Sequence, residues 1–103
     1  MKEEKITQEQ IDKWKEQYKF VYRATFDGTD YYFRTLSRDD YIAISAKQAN
    51  LGQALDYELE TVKVCLLNDL DEATIKAKSG IVTMLSEKIM SRSGFLQVEE
   101  EEL

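Results

Sequence analysis

The sequence contains no histidine and no proline, and only one cysteine and four glycines among its 103 residues. Without histidine, the commonest general base is missing, together with the Ser-His and Cys-His nucleophiles and the usual zinc ligand sets. A single cysteine, Cys65, forms neither an intramolecular disulfide nor a structural zinc or iron–sulfur site, and it indicates a reducing compartment. We therefore expect a non-enzymatic protein without metal ligands or a cofactor, in which Cys65 is a small buried hydrophobic residue.

Long apolar runs are also lacking. No segment approaches the roughly 20 apolar residues that a transmembrane helix needs, and the charged residues 1–5 are not followed by the apolar stretch of a signal peptide. None of the glycines belongs to a phosphate-binding motif. We expect a chain that is neither inserted in a membrane nor secreted by a cleavable signal.

The net charge of −6 is distributed unevenly along the chain. Residues 1–38 carry +1, residues 39–72 carry −6, residues 73–98 carry +3, and the segment 99–102 carries −4. Because affinity for phosphate depends on clustered Lys and Arg, we expect no direct binding to nucleic acid. The acidic blocks are either solvated helix faces with an acidic tail or a surface for a basic protein partner, and the sequence leaves both readings open.

Two aromatic-rich strands joined by a tight turn give the strongest structural signal. The strands cover 20–26 and 29–35, and Asp27-Gly28 supplies the positive φ angles of a type I′ turn. The predicted register pairs Phe20 with Thr35, Tyr22 with Phe33, Ala24 with Tyr31 and Phe26 with Thr29. One face is then apolar (Phe20, Tyr22, Ala24, Phe26, Tyr31 and Phe33) and the other is mostly polar (Val21, Arg23, Thr25, Asp30, Tyr32 and Arg34). Because a lone two-stranded ribbon is marginal in water, we expect the apolar face to cover helices.

Helical periodicity and capping residues predict the remaining elements. Thr7, Ser37 and Asp71 each stand where an N-cap is expected. Gly94 followed by Phe95 indicates a Schellman ending after the last helix. The predicted helices cover about 8–18, 38–49, 53–68, 72–78 and 81–92.

These elements predict an α+β fold with one N-terminal helix, a two-stranded antiparallel hairpin and a C-terminal bundle of three to four helices. We expect residues 6–96 to form a single domain. Residues 1–5 are predicted to be a flexible N-terminus, and residues 97–103 an acidic, disordered tail.

The order of several short motifs resembles that of a known family. The motifs are Ile-x-x-Trp-Lys (Ile11 to Lys15), Val21-Tyr22, Tyr31-Tyr32-Phe33-Arg34, Leu36-Ser37-Arg38-Asp39-Asp40-Tyr41, Val64-Cys65-Leu66-Leu67 and Ser93-Gly94-Phe95. This order resembles the small tail assembly chaperones and baseplate-associated proteins of tailed bacteriophages, over most of residues 6–95. In such proteins an aromatic hairpin ending in Phe-Arg leads into a Leu-x-Arg-x-x-Tyr helix start. The chain departs from the pattern in lacking a proline after the Cys-Leu-Leu segment or ahead of the Arg-x-x-Tyr helix.

The resemblance implies a protein that is made in the cytoplasm of the host bacterium and binds a helical tail protein, such as the tape-measure protein, during tail assembly. A small structural subunit that stays in the virion, in the tail, the baseplate or the capsid, is an alternative with the same sequence pattern. A third hypothesis is an acidic inhibitor of a host nucleic-acid-binding enzyme, which the acidic excess over residues 39–72 suggests.

The predicted partner site lies on the outer, mostly polar face of the hairpin. Arg23, Tyr32 and Arg34 share this face, and Arg38 follows at the start of the next helix. Exposed tyrosine and arginine are typical anchors of protein interfaces, so we expect these four residues to border the partner site. On this interpretation, replacing Tyr32 affects binding and leaves stability nearly unchanged. The alternative is that Tyr32 only stacks on the neighbouring arginine stems and shields the backbone.

Overall fold

The computed structural model describes residues 6–51, 56–95 and 98–103. In chain order these residues form α1 (Gln8–Tyr18), β1 (Val21–Phe26), β2 (Thr29–Arg34), α2 (Arg38–Leu51), α3 (Tyr57–Cys65), α4 (Glu72–Ala77) and α5 (Gly80–Arg92). The predicted α+β class is confirmed, with an N-terminal helix, an antiparallel hairpin and four C-terminal helices in the described ranges. The predicted flexible N-terminus, residues 1–5, lies outside those ranges, as do residues 96–97, where the predicted domain and tail meet.

The predicted N-caps are confirmed by side-chain hydrogen bonds. The side chains of Thr7 and Asp71 each accept a hydrogen bond from the backbone N–H three residues later, at 3.1 and 2.7 Å. Ser37 and Asp40 cap α2 reciprocally, since Ser37 Oγ accepts from the N–H of Asp40 at 3.0 Å and Asp40 Oδ2 accepts from the N–H of Ser37 at 3.2 Å. Caps of this kind contribute about 1 kcal/mol each, so they define where the helices begin.

The Schellman ending of α5 is also confirmed. Gly94 has φ 92°, and the N–H of Phe95 donates to the carbonyl of Met90 at 3.0 Å, while the N–H of Gly94 donates to Ser91 at 3.3 Å. This turn places Phe95 against Tyr41 of α2, with 5.2 Å between the ring centroids. The end of α5 is thereby fixed beside the start of α2.

The hairpin has the predicted type I′ turn, with φ 51° at Asp27 and φ 78° at Gly28. The ladder runs from Phe26↔Thr29 to Val21↔Arg34 in the predicted register. The predicted pairing of Phe20 with Thr35 is wrong, and Phe20 is 51% exposed. The physical reason is the tight turn that joins α1 to β1, in which Lys19 has φ 72° and the N–H of Phe20 donates to the carbonyl of Tyr18 at 2.8 Å.

The core lies between the apolar face of the hairpin and the C-terminal helices. Its buried members are Tyr31, Phe33, Leu36, Ile44, Val62, Cys65, Ile81, Val82, Leu85 and Ile89. Burial of this apolar surface is the main stabilising contribution to the fold. Among the described helices, none combines the length and the apolar character needed to cross a lipid bilayer.

The third helix is shorter than predicted, because the chain leaves it to cover an edge of the sheet. The predicted range is 53–68, of which 53–55 lie outside the described residues, and α3 begins at Tyr57 and ends at Cys65. Leu66 is extended, and the N–H of Leu67 donates to the carbonyl of Tyr32 at 2.8 Å. The Asn68 side chain accepts from the N–H of Tyr32 at 2.8 Å and donates to the carbonyl of Asp30 at 3.1 Å. The backbone N–H and carbonyl groups at the edge of a strand require hydrogen-bond partners. Leu67 and Asn68 supply these partners to β2, and the helix therefore ends before them.

The second face of the hairpin is covered by α1, which corrects the prediction that Tyr32 is exposed. Tyr32 is 6% exposed, and its ring lies 5.7 Å from the ring of Trp14, centroid to centroid. The apolar stripe of α1 needs a surface to bury against, and Tyr32 with Val21 provides one on this face. The hairpin is therefore a layer between α1 and the C-terminal helices.

We predict that Tyr32→Ala destabilises the domain by about 3 kcal/mol or more, because it removes a buried ring from beneath α1. Tyr32→Phe keeps the ring and serves as a control. Arg23→Ala, at the exposed position directly across the ladder, is expected to change stability by less than about 0.5 kcal/mol. Urea denaturation followed by circular dichroism measures all three variants. Equal stability of Tyr32→Ala and Arg23→Ala would contradict the packing of α1 on this face.

Candidate partner-binding surface

The acidic side chains and the single thiol, Cys65, are the candidates for a reactive centre. Within residues 6–51, 56–95 and 98–103, no group of three or more Cys, Asp or Glu side chains is placed to hold a metal ion. Burial raises the pKa of the Cys65 thiol to about 11. The thiol therefore stays protonated at neutral pH, where it is a poor nucleophile.

Two of the four predicted site residues hold the fold together and are not exposed on an outer face. Tyr32 lies under α1, as described above. The guanidinium of Arg34 donates to Asp40 Oδ2 at 2.8 Å and to the carbonyl of Thr35 at 3.0 Å, and it lies 5.4 Å from the centroid of the Tyr18 ring. Arg34 thus links the hairpin to α1 and to the start of α2. The expectation that Tyr32 and Arg34 form an exposed anchor pair is wrong, because α1 occupies that face.

The other two predicted residues, Arg23 and Arg38, are exposed. Arg23 lies on β1, and within the described part of the chain it forms no ion pair. Arg38 lies over the ring of Tyr41, 5.6 Å from its centroid. No hydrogen bond or ring contact of the described residues joins Arg23 to Arg38. Their role in partner binding stays a prediction.

Arg38 lines a groove of about 230 Å³ between the start of α2 and the end of α5. Ser93 ties the two sides together, since its hydroxyl accepts from the N–H of Leu36 at 2.7 Å and donates to the carbonyl of Ile89 at 2.5 Å. Phe95 forms a half-exposed apolar wall. The lining consists of Leu36, Ser37, Arg38, Tyr41, Ser93, Gly94 and Phe95.

A second groove, of about 340 Å³, lies between the hairpin turn and α4. Lys78 and Asp27 bridge it with an ion pair of 2.8 Å. The hydrogen bond from Lys78 holds the pKa of Asp27 below its ordinary value. The same hydrogen bond holds the pKa of Lys78 above the ordinary value of a lysine. Because both side chains are well exposed, this pair contributes little to stability.

The outward side of α2 is the surface that sequence analysis missed. Ile42 is 50% exposed, and Ala43, Ala46 and Ala49 are exposed as well. Positions 42, 46 and 49 follow helical spacing, with 43 beside them, so they share one face. We call these four residues the α2 outer face. The opposite side of the helix is buried through Ile44.

A signal for this face was present in the sequence. Tyr41-Ile42-Ala43-Ile44 is a run of consecutive apolar residues, and a run of this length surrounds a helix instead of marking one stripe. Packing against a single neighbour leaves part of such a helix exposed. Lys47 forms an ion pair with Glu60 of α3, so the side of α2 that carries Lys47 faces α3.

Similarity searches add no relative. No protein-family model matches the chain, and no curated protein or solved structure matches it.

The orientation of α2 depends on the carboxylate of Asp40. Partial burial by itself raises the pKa of Asp40, but the hydrogen bonds from Arg34 and Ser37 outweigh it, so the pKa lies below its ordinary value of 3.8. A carboxylate with a lowered pKa stabilises the folded state above its unfolded pKa, and this contribution is lost as the pH falls through the folded pKa.

We predict that Asp40→Asn lowers the free energy of unfolding at pH 7 by about 1.5–3 kcal/mol, the range for hydrogen bonds to charged groups. The difference from the native chain is expected to shrink as the pH falls below the ordinary pKa of 3.8, and to be smallest below the lowered pKa of the folded state, where Asp40 itself is neutral. Denaturant unfolding at several pH values measures this. Asp39→Asn, at the exposed neighbouring position, is the control. A deficit that is independent of pH would argue against the ion pair with Arg34.

Proposed function

We propose that this chain is a non-enzymatic assembly chaperone of a tailed bacteriophage, which acts in the cytoplasm of the host bacterium and binds a helical tail protein such as the tape-measure protein. The observation that carries the proposal is the α2 outer face, an apolar helix surface that the domain leaves exposed. An amphipathic helix that lays its apolar stripe on such a face is a common mode of protein recognition.

The composition of the α2 outer face suits a helical partner. Ile42 provides a branched side chain that is half exposed and therefore has apolar area left to bury. Removal of apolar area from water contributes about 25 cal/mol per Å². The three alanines project little, and the distance between packed helices depends on the side chains at the contact. A partner helix can therefore approach α2 closely along its length.

The net charge of the segment that includes α2 favours a basic partner. Residues 39–72, which include most of α2 and all of α3, carry a net charge of −6. Complementary charges at the rim of an interface set register and accelerate association. The expected partner segment is thus a helix with an apolar stripe flanked by lysine or arginine.

The order of motifs along residues 6–95 supports the same proposal, because it resembles that of phage tail assembly chaperones. The lack of histidine agrees with a binding role, since most acid–base and nucleophilic mechanisms in enzymes use that residue. Among phage tail proteins, the tape-measure protein is the helical partner that the resemblance implies.

The proposal is tested by co-expression with the tape-measure protein of the same gene cluster. We predict a soluble complex that co-purifies through a tag on either chain. Ile42→Glu and Ala46→Glu, which place a charge in the contact, are expected to weaken binding about tenfold or more, as substitutions of interface anchors do. Met84→Glu is the matched control, because Met84 is 46% exposed and lies on α5.

Two results would contradict parts of this proposal. A folded native chain that co-purifies with no tail protein would contradict the chaperone function. If the Ile42→Glu variant binds the partner as tightly as the Met84→Glu control, the α2 outer face is not the binding surface. Mass spectrometry of purified virions separates the chaperone from the retained subunit: stoichiometric peptides of this chain in mature particles would favour retention.

A further inference from the structure

The two edges of the hairpin differ in what covers them. The N–H and carbonyl of Tyr32 bond to Asn68 and Leu67, so they point away from β1. Arg23 and Tyr32 are therefore a non-hydrogen-bonded pair of the ladder. Because such pairs alternate with hydrogen-bonded ones, Val21 and Thr25 direct their backbone groups outward in the same way as Arg23.

The outer edge of β1 is open in the described part of the chain. No N–H or carbonyl of Val21, Arg23 or Thr25 bonds to a residue outside the hairpin within residues 6–51, 56–95 and 98–103. The strand is six residues long, which corresponds to about 20 Å. An edge of this length is a template onto which another strand can add.

Cations lie on both faces of this edge. Arg23 is exposed on the α1 side, and Arg92 is exposed on the other side, 5.0 Å from the centroid of the Tyr22 ring. Neither arginine forms an ion pair with a carboxylate of the described residues. The acidic side chain of Asp30 lies across the ladder from Thr25. It accepts a hydrogen bond from the Thr25 hydroxyl at 2.6 Å, so this carboxylate already has a partner. The edge therefore favours an added strand that carries acidic side chains on both faces.

The chain itself contains a segment with this pattern. Residues 98–103, Val-Glu-Glu-Glu-Glu-Leu, form neither helix nor strand and are exposed throughout. In an added strand, side chains alternate between the two faces, so four consecutive glutamates place two carboxylates on each face. Val98 and Leu103 are almost fully exposed and have apolar area left to bury. In the single chain this segment forms no hydrogen bond or ion pair with the other described residues, while Phe95 ahead of it is held against Tyr41.

We propose that the outer edge of β1 binds residues 98–103 of a second copy of the chain as an added strand, so that two chains exchange their acidic segments. The reciprocal exchange gives a closed dimer, because each chain offers one edge and one segment. This surface is separate from the α2 outer face. If the chain proves to be a monomer, the proposed chaperone function is therefore unaffected. If it forms no complex with the tape-measure protein, the proposed dimer is unaffected.

Charge reversal provides the test. One variant carries Arg23→Glu and Arg92→Glu, and a second carries lysine in place of Glu99, Glu100, Glu101 and Glu102. We expect the native chain to dimerise with increasing concentration in sedimentation experiments, and each variant alone to dimerise about tenfold or more weakly, on the scale of close interfacial charge pairs. A mixture of the two variants is expected to restore the dimer, because the reversed charges complement each other. Lys88→Glu on α5 is the control and is expected to dimerise like the native chain.

Hydrogen exchange of the native chain adds a readout that does not depend on folding of the variants. The amides of Val21, Arg23 and Thr25 are expected to become protected as the dimer forms, because they become donors to the added strand. A native chain that stays monomeric at millimolar concentration would overturn the proposal. A dimer that both variants retain, or one without protection of these amides, would also overturn it. Protection that does not depend on concentration would indicate binding within one chain and would contradict exchange between copies.

Discussion

The burial of β2 on both faces and along one edge is the constraint on which the rest of the domain depends. Phe33 and Tyr31 are buried toward the C-terminal helices, while Tyr32 between them is buried under Trp14 of α1. Asn68 covers the edge of β2 that points away from β1, because its side chain forms hydrogen bonds with backbone groups of β2. A two-stranded ribbon is marginal by itself, and three separate contacts stabilise this one. Each contact also positions a different part of the chain around the strand.

The arrangement of the helices extends from the end of β2. Arg34, the last residue of the strand, pairs with Asp40, which is also the reciprocal cap of α2. The direction in which α2 leaves the sheet is thus linked to the hairpin by a half-buried ion pair. Ser93 at the end of α5 accepts a hydrogen bond from Leu36 and closes the same junction. The α2 outer face is exposed because these contacts turn the other side of the helix toward the core, and the proposed binding function depends on that orientation.

Local features of the fold were predictable from the sequence, and contacts between distant segments were not. The type I′ turn needs only Asp27-Gly28, and the caps need a few neighbouring residues, so these signals are complete within short segments. Coverage of Tyr32 by α1 and coverage of the β2 edge by Asn68 are contacts between segments that lie far apart in the sequence, so no short segment encodes them. Strand alternation alone groups Arg23, Tyr32 and Arg34, and it identifies a face but not the element that covers that face. The α1 aromatics were the available signal, since Trp14 required an apolar surface and Tyr32 was the one aromatic residue on the uncovered face.

NMR of the domain labelled at its methyl groups and at its arginine and aromatic side chains, titrated with the tape-measure protein, tests most directly whether the hairpin is an internal layer and α2 presents the binding surface. We expect broadening or shifts of the methyl signals of Ile42, Ala43 and Ala46, while the ring signals of Trp14 and Tyr32 stay unchanged. Changes confined to the signals of Arg23, Tyr32 and the aromatic residues of α1, with unchanged methyl signals of α2, would contradict the α2 outer face as the binding surface.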